Sequence, residues 1–210
     1  MSRRSVLVNA LTFSRLPLVF AWLFLAVAEE LCGGLRFGLA AVFALFLSGM
    51  TDLADGLLAR RWNVVTPLGK MADPLMDKAV YIVVFPSLTW LIMHQGDMVH
   101  SLVMLAFTIL YILRDLWVTF MRSVAAMFGA DVAAMRLGKV RTALTFPAAG
   151  VVYIYAMLCR AVEGGAAPAL FAACLCVEAA MIALNLVSFC VYTRAYAPYI
   201  KKALERSRDL

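Results

Sequence analysis

Four aspartates stand at helical spacings within one short stretch of this chain. Asp52 and Asp55 are three residues apart, and Asp73 and Asp77 are four apart. Each pair therefore shares one face of a helix. The stretch reads D-L-A-D-G-L-L-A-R, then eight residues, then G-K-M-A-D-P-L-M-D. Two antiparallel helices joined by so short a connection can bring both faces together. Four carboxylates converging in a low dielectric repel one another strongly. Either some stay protonated, or divalent cations neutralise them. Two divalent ions match four carboxylates in charge, and hard oxygen ligands suit Mg²⁺, Mn²⁺ or Ca²⁺. Mg²⁺ in particular joins a few carboxylates to substrate phosphates. A buried salt-bridge network, or an ion or proton pathway, is the competing use of such a cluster.

The neighbouring residues suit a phosphate ligand. Gly56, Ala59 and Gly69 are small and let a bulky ligand approach the backbone. A glycine inside a helix costs up to about 1 kcal/mol relative to alanine, so Gly56 points to a packing or ligand role. Arg60, one turn beyond Gly56, can reach a phosphate. Pro67 breaks the connection and helps fix the turn between the two halves.

The elements that must position these residues are membrane spans. The chain has 210 residues, is 64% hydrophobic and has a mean hydropathy of +0.89, well above the roughly 45–50% apolar content of soluble domains. Apolar runs of about 20 residues mark spanning helices. Six are expected: Leu7–Ala28, Leu35–Leu58, Met71–Met93, Val99–Phe128, Val140–Leu158 and Ala166–Val191. The fold class is an all-α integral membrane protein, one transmembrane domain over residues 1–210 with no soluble appendage.

Basic residues set the orientation. Arg3, Arg4, Arg60, Arg61, Lys70, Arg136, Lys139, Arg141, Arg194, Lys201, Lys202, Arg206 and Arg208 fall on one side, against Arg36 and Arg160 on the other. The positive-inside rule then puts both termini, and the aspartates, at the cytoplasmic side of a multi-pass inner (cytoplasmic) membrane protein. The basic tail from Lys201 reports topology first, and attraction to anionic lipid second. Ser2-Arg3-Arg4-Ser5 resembles an export signal and Ala26-Val27-Ala28 a cleavage site. Arg15 interrupts the run and more spans follow, so the segment reads as the first span. Cys32, Cys159, Cys174, Cys176 and Cys190 read as buried hydrophobes. His94 and His100, flanking a short polar loop, are not expected to bind metal. Gly34 and Gly38 form a small-xxx-small pair that permits close helix contact.

The pattern D-x-x-D-G-x-x-A-R-x8-G-x3-D-x3-D resembles the signature of the CDP-alcohol phosphotransferase family. Asp52, Asp55, Gly56, Ala59, Arg60, Gly69, Asp73 and Asp77 fill every fixed position. The resemblance implies that Asp52, Asp55 and Asp73 bind two divalent ions, Mg²⁺ or Mn²⁺, with Asp77 at the second ion and acting as general base. Gly56, Ala59, Arg60 and Gly69 would border the CDP moiety, with Lys70 beside them. It also implies a CDP-linked lipid donor, release of CMP, and a homodimer; no nucleic-acid partner is expected.

Three looser matches concern the acceptor. Asn9-x-x-Thr12-x-x-Arg15 is similar to a segment of the bacterial phosphatidylglycerophosphate synthase branch, and adds Asn9 and Thr12 to the CDP-binding set. Arg114-Asp115-x-x-x-Thr119-x-x-Arg122 and Gly138-Lys139-Val140-Arg141-Thr142 are similar to two others. Together they imply CDP-diacylglycerol as donor and glycerol 3-phosphate as acceptor, with Arg114, Arg122, Lys139 and Arg141 around the acceptor phosphate. Ion pairing of Arg114 with Asp115 is the plainer use of that residue. The same chemistry with inositol phosphate, serine or phosphatidylglycerol is the nearest alternative. An ion or proton transporter is the alternative of another class.

Overall fold

The computed structural model describes residues 3–64, 67–130, 136–161 and 168–208. Six helices account for nearly all of them: α1 (Arg3–Cys32), α2 (Leu35–Trp62), α3 (Pro67–His94), α4 (Met98–Met127), α5 (Arg136–Ala161) and α6 (Pro168–Arg208). All six are long and apolar enough to cross a membrane.

Except for α4, which differs from its apolar run by one residue at each end, the helices extend past the apolar runs that announce them, because backbone hydrogen bonding continues where hydropathy stops. α2 carries the whole D-x-x-D-G-x-x-A-R stretch and ends on Asn63, whose left-handed conformation (φ 51°, ψ 43°) is one that asparagine tolerates. α3 opens at Pro67, where a missing N–H costs nothing. The connection is therefore shorter than the polar break between Arg60 and Gly69. α5 starts before Lys139 and Arg141, which places both on a helix rather than in a loop. α6 runs 41 residues, past Val191 to Arg208. At 1.5 Å per residue that is about 62 Å, twice a ~30 Å hydrocarbon core. The basic tail is thus a rigid continuation of the last span.

α3 stands at the centre, against α1, α4 and α5, while α1 lies along α2 and α4 along α6. The core is aromatic and aliphatic. Tyr81, Phe85, Phe107 and Tyr111 form a ring stack with centroids 4.9–5.6 Å apart, and Trp22 meets Tyr153 edge-on at 5.5 Å. A second cluster of Val118, Met121, Ala125, Tyr192 and Tyr196 joins the later turns of α4 and α6.

The end of the bundle away from the aspartates is tied by ions. Arg160 on α5 reaches Glu29 (3.3 Å) and Glu30 (2.7 Å) on α1. Tyr153 donates to Glu29 at 3.1 Å. The Glu29 carboxylate occupies the space where Gly38 of α2 lacks a side chain, so α2 comes close to α1 there. Glu29 and Glu30, which read as a polar break, lie inside α1, and Glu29 is buried.

Candidate active site

The four aspartates converge, and they converge on an arginine. Asp52 and Asp55 project from α2, Asp73 and Asp77 from α3, and Arg15 enters from α1. Arg15 Nη1 lies 2.6 Å from Asp52 and 2.7 Å from Asp77. Its Nη2 lies 2.5 Å from Asp55 and 3.8 Å from Asp73. Arg15 and Asp55 are buried, whereas the side chains of Asp52 and Asp73 are half exposed, at 51% each. Thr12, one turn before Arg15, donates to Asp55 at 2.8 Å, with Asp73 Oδ1 3.3 Å away.

Charge decides what this arrangement is for. Among the described residues, one guanidinium against four carboxylates leaves three formal negative charges beside apolar walls. A compact all-oxygen donor set with that excess fits divalent cations of the hard class. The two half-exposed aspartates face the open side, where a metal-bound diphosphate would arrive.

The remaining motif residues surround the cluster. The Arg60 guanidinium sits over Gly56, 3.7 Å from where a β-carbon would be, and no side chain at 56 obstructs it. Asn9 is buried on the same face of α1 as Thr12 and Arg15. Thr12 is at 1% exposure and engaged with carboxylates, so it holds the aspartates rather than facing open space. Ala59 lies on the last turns of α2 and Gly69 on the first turn of α3. The side chains of Lys70 and Lys139 lie outside the described residues.

Two of the acceptor-phosphate candidates meet deeper between α4, α5 and α6. Arg114 and Arg141 both reach Asp115 Oδ1, at 3.4 and 3.3 Å. Arg114 donates to Ser188 and Arg141 to Asn185, both on α6. Arg141 stacks over Tyr111 at 4.4 Å and Arg114 over Tyr192 at 4.8 Å. Lys78, next to Asp77, pairs with Asp115 at 3.4 Å and so links this cluster to the aspartates. The ion pair of Arg114 with Asp115 is present, and Arg141 shares it. Arg122 lies two turns beyond Arg114 on α4 and is half-buried.

Several residues of this site were not singled out in the sequence. Arg15 stood there as an interruption of an apolar run and as the end of the Asn9–Thr12 segment. A single charge inside a span is itself the signal. Lys78, Asn185 and Ser188 carried no signal, since they become neighbours only through the packing of α3 and α4 against α5 and α6.

An apolar cavity of about 800 Å³ opens from Arg15, Asp52 and Asp77 and runs between α2 and α5 as far as Tyr153. Phe46, Leu53, Val151 and Ile154 line it and are also exposed, so it reaches the surface that faces lipid. A polar cluster at one end and an apolar groove along the helices is the shape of a lipid head group with its chains.

Residues 5–189 match the family described as CDP-alcohol phosphatidyltransferase, and the chain belongs to that family. It is 33% identical over 142 residues to the CDP-diacylglycerol–glycerol-3-phosphate 3-phosphatidyltransferase of Bacillus subtilis, covering 64% of this chain and 69% of that one. It is 36% identical over 98 residues to the Rickettsia felis protein of the same name, covering 47% of this chain and 49% of that one. It is 39% identical over 82 residues to the CMP-forming cardiolipin synthase of Streptomyces coelicolor, covering 39% of this chain and 38% of that one. The chain thus spans about half the length of these relatives, from 38% to 69%.

Proposed function

We propose that the protein transfers the phosphatidyl group of CDP-diacylglycerol to sn-glycerol 3-phosphate, giving phosphatidylglycerophosphate and CMP. The observation that carries this reading is the continuity of the carboxylate cluster with the apolar groove between α2 and α5. A soluble CDP-alcohol has no use for such a groove, whereas diacyl chains fill it while the diphosphate rests on the aspartates.

Asp52, Asp55 and Asp73 would hold two divalent cations, Mg²⁺ or Mn²⁺, with Asp77 touching the second. When bound, such a pair supplies neutralisation of the diphosphate and of the leaving CMP. Asn9, Gly56, Ala59, Arg60, Gly69 and Lys70 border the CDP moiety. Thr12 holds Asp55 beside it. Asp77 takes the proton of the acceptor hydroxyl as its oxygen forms a bond to the β-phosphorus. The bond from that phosphorus to CMP breaks, and the electron pair leaves on CMP. Arg15 orients Asp77 until substrate arrives. Arg114, Arg122, Lys139 and Arg141 bind the acceptor phosphate. The protein sits in the cytoplasmic membrane as a homodimer, with this face toward the cytoplasm where its basic residues lie.

The relatives named cardiolipin synthase favour a second reading, with phosphatidylglycerol as acceptor. One assay separates the two. Purified protein, CDP-diacylglycerol and Mg²⁺ are given glycerol 3-phosphate, phosphatidylglycerol, serine or inositol phosphate, and CMP release is measured. Turnover with glycerol 3-phosphate alone supports the proposal. Turnover with phosphatidylglycerol and none with glycerol 3-phosphate replaces it with the second reading.

A further inference from the structure

A second cluster of ligand-type side chains lies at the other end of the bundle. His100 stands in the first turn of α4. Cys174 and Glu178, four residues apart, share one face of α6. All three are buried, with exposures of 0%, 1% and 0%. One donor atom from each lies within 4.8 Å of the other two. His100 Nδ1 and Glu178 Oε2 share a hydrogen bond of 2.7 Å. Among the described residues, Glu178 Oε1 and His100 Nε2 have no hydrogen-bond partner. Buried polar atoms left in that state cost about 1–3 kcal/mol each.

The surroundings fix the imidazole. Its ring packs on Phe171 at 4.4 Å and Tyr155 at 4.7 Å. Tyr155 donates to Asp97 at 2.7 Å, and Asp97 caps α4 by accepting from the His100 backbone N–H at 3.2 Å. Fourteen residues of α4, about 21 Å of helix, separate His100 from Arg114. The cluster is therefore independent of the proposed catalytic residues.

We propose that His100, Cys174 and Glu178 bind one transition-metal ion of the Zn²⁺ class. Nitrogen, sulfur and carboxylate oxygen together suit a borderline-soft ion rather than Mg²⁺. A thiolate, a carboxylate and a neutral imidazole balance a divalent charge, which matters where no water screens it. Binding releases the thiol proton and replaces the hydrogen bond between His100 and Glu178. Ligand bonds of about 2.0–2.3 Å need donor atoms only about 3.3–3.6 Å apart in a tetrahedron. The His100–Glu178 contact must open slightly and the Cys174 sulfur must close in. The three protein ligands leave a fourth position open. The ion would cross-link α4 to α6 at this end.

The test uses the full-length protein in detergent, stripped with chelator, returned to Mg²⁺ buffer and titrated with Co²⁺. One equivalent should produce a near-ultraviolet thiolate-to-cobalt charge-transfer band, which carboxylates cannot give. The band should vanish in Cys174→Ser and His100→Gln and persist in Cys176→Ser. Absence of the band in the unaltered protein, or its survival in Cys174→Ser, overturns the proposal. X-ray absorption at the zinc edge of the Zn²⁺-loaded protein needs no variant. A sulfur neighbour at about 2.3 Å is expected, and a shell of oxygen and nitrogen alone overturns the site.

Discussion

Arg15 Nη1 lies 2.7 Å from Asp77 Oδ1 and 2.6 Å from Asp52 Oδ1, so the carboxylate proposed as base shares its guanidinium with an aspartate from the opposite helix. One cation thereby holds α2 and α3 in register through α1. The four carboxylates are never without positive charge, and the arginine leaves them three charges short of balance.

From this, Arg15→Gln should be strongly destabilising without metal, because a buried pair that loses one partner costs about 3–5 kcal/mol. Divalent cations should offset part of that loss. We expect a lowered Tm in chelator and a larger Mg²⁺-induced rise in Tm than in the unaltered protein. An equal rise in both would show that Arg15 and the cations do not share the aspartates.

Asp77→Asn keeps the shape of the side chain but cannot take a proton. Turnover should fall at least 10²–10⁴-fold, the usual worth of general-base help. Metal-dependent binding of CDP-diacylglycerol should remain. A loss of binding as large as that of Asp52→Asn would count against a dedicated base role.

The groove can be filled without disturbing the core. Gly150 of α5 lines it, and among the described residues a β-carbon there would have nothing within 4 Å. Gly150→Leu should fold, since replacing a helical glycine gains up to about 1 kcal/mol. It should raise the KM for CDP-diacylglycerol and leave that for glycerol 3-phosphate unchanged. An unaltered lipid KM would remove the groove from the donor site.

Arg141→Ala should act on the other substrate. Hydrogen bonds to charged groups contribute about 1.5–3 kcal/mol, so the KM for glycerol 3-phosphate should rise roughly 10–100-fold, with a smaller change for the lipid. Arg122→Ala should behave alike. Steady-state kinetics with each substrate varied in turn would reveal equal effects, which would argue against an acceptor-phosphate role.

The six spans and the aspartate hairpin were legible because each rests on local pattern: apolar length for the helices, and three- and four-residue spacing for the carboxylates. Arg15 was visible only as an anomaly, since its four partners lie 37 to 62 residues away and nothing local names them. His100 fell inside the expected span from Val99 but read only as a flank of the polar loop, because nothing local names what it meets. Its partner Glu178 is 78 residues distant, inside an apolar run where one acidic residue carries no periodicity. Helix ends were read short wherever charge replaced apolar residues, as at Arg60, Lys139 and Val191, because hydropathy follows the bilayer and hydrogen bonding does not.

The ties among Glu29, Glu30, Tyr153 and Arg160 have a consequence for the cell. They close the bundle opposite the aspartates, above a middle packed with Trp22, Phe85, Leu88 and Leu91 at 0% exposure. Among the described residues, the charged cluster is thus a blind alley, and the groove beside it drains sideways into lipid. On the proposed function, phospholipid would form at a cluster that lipid enters and leaves from the side rather than along the bundle axis.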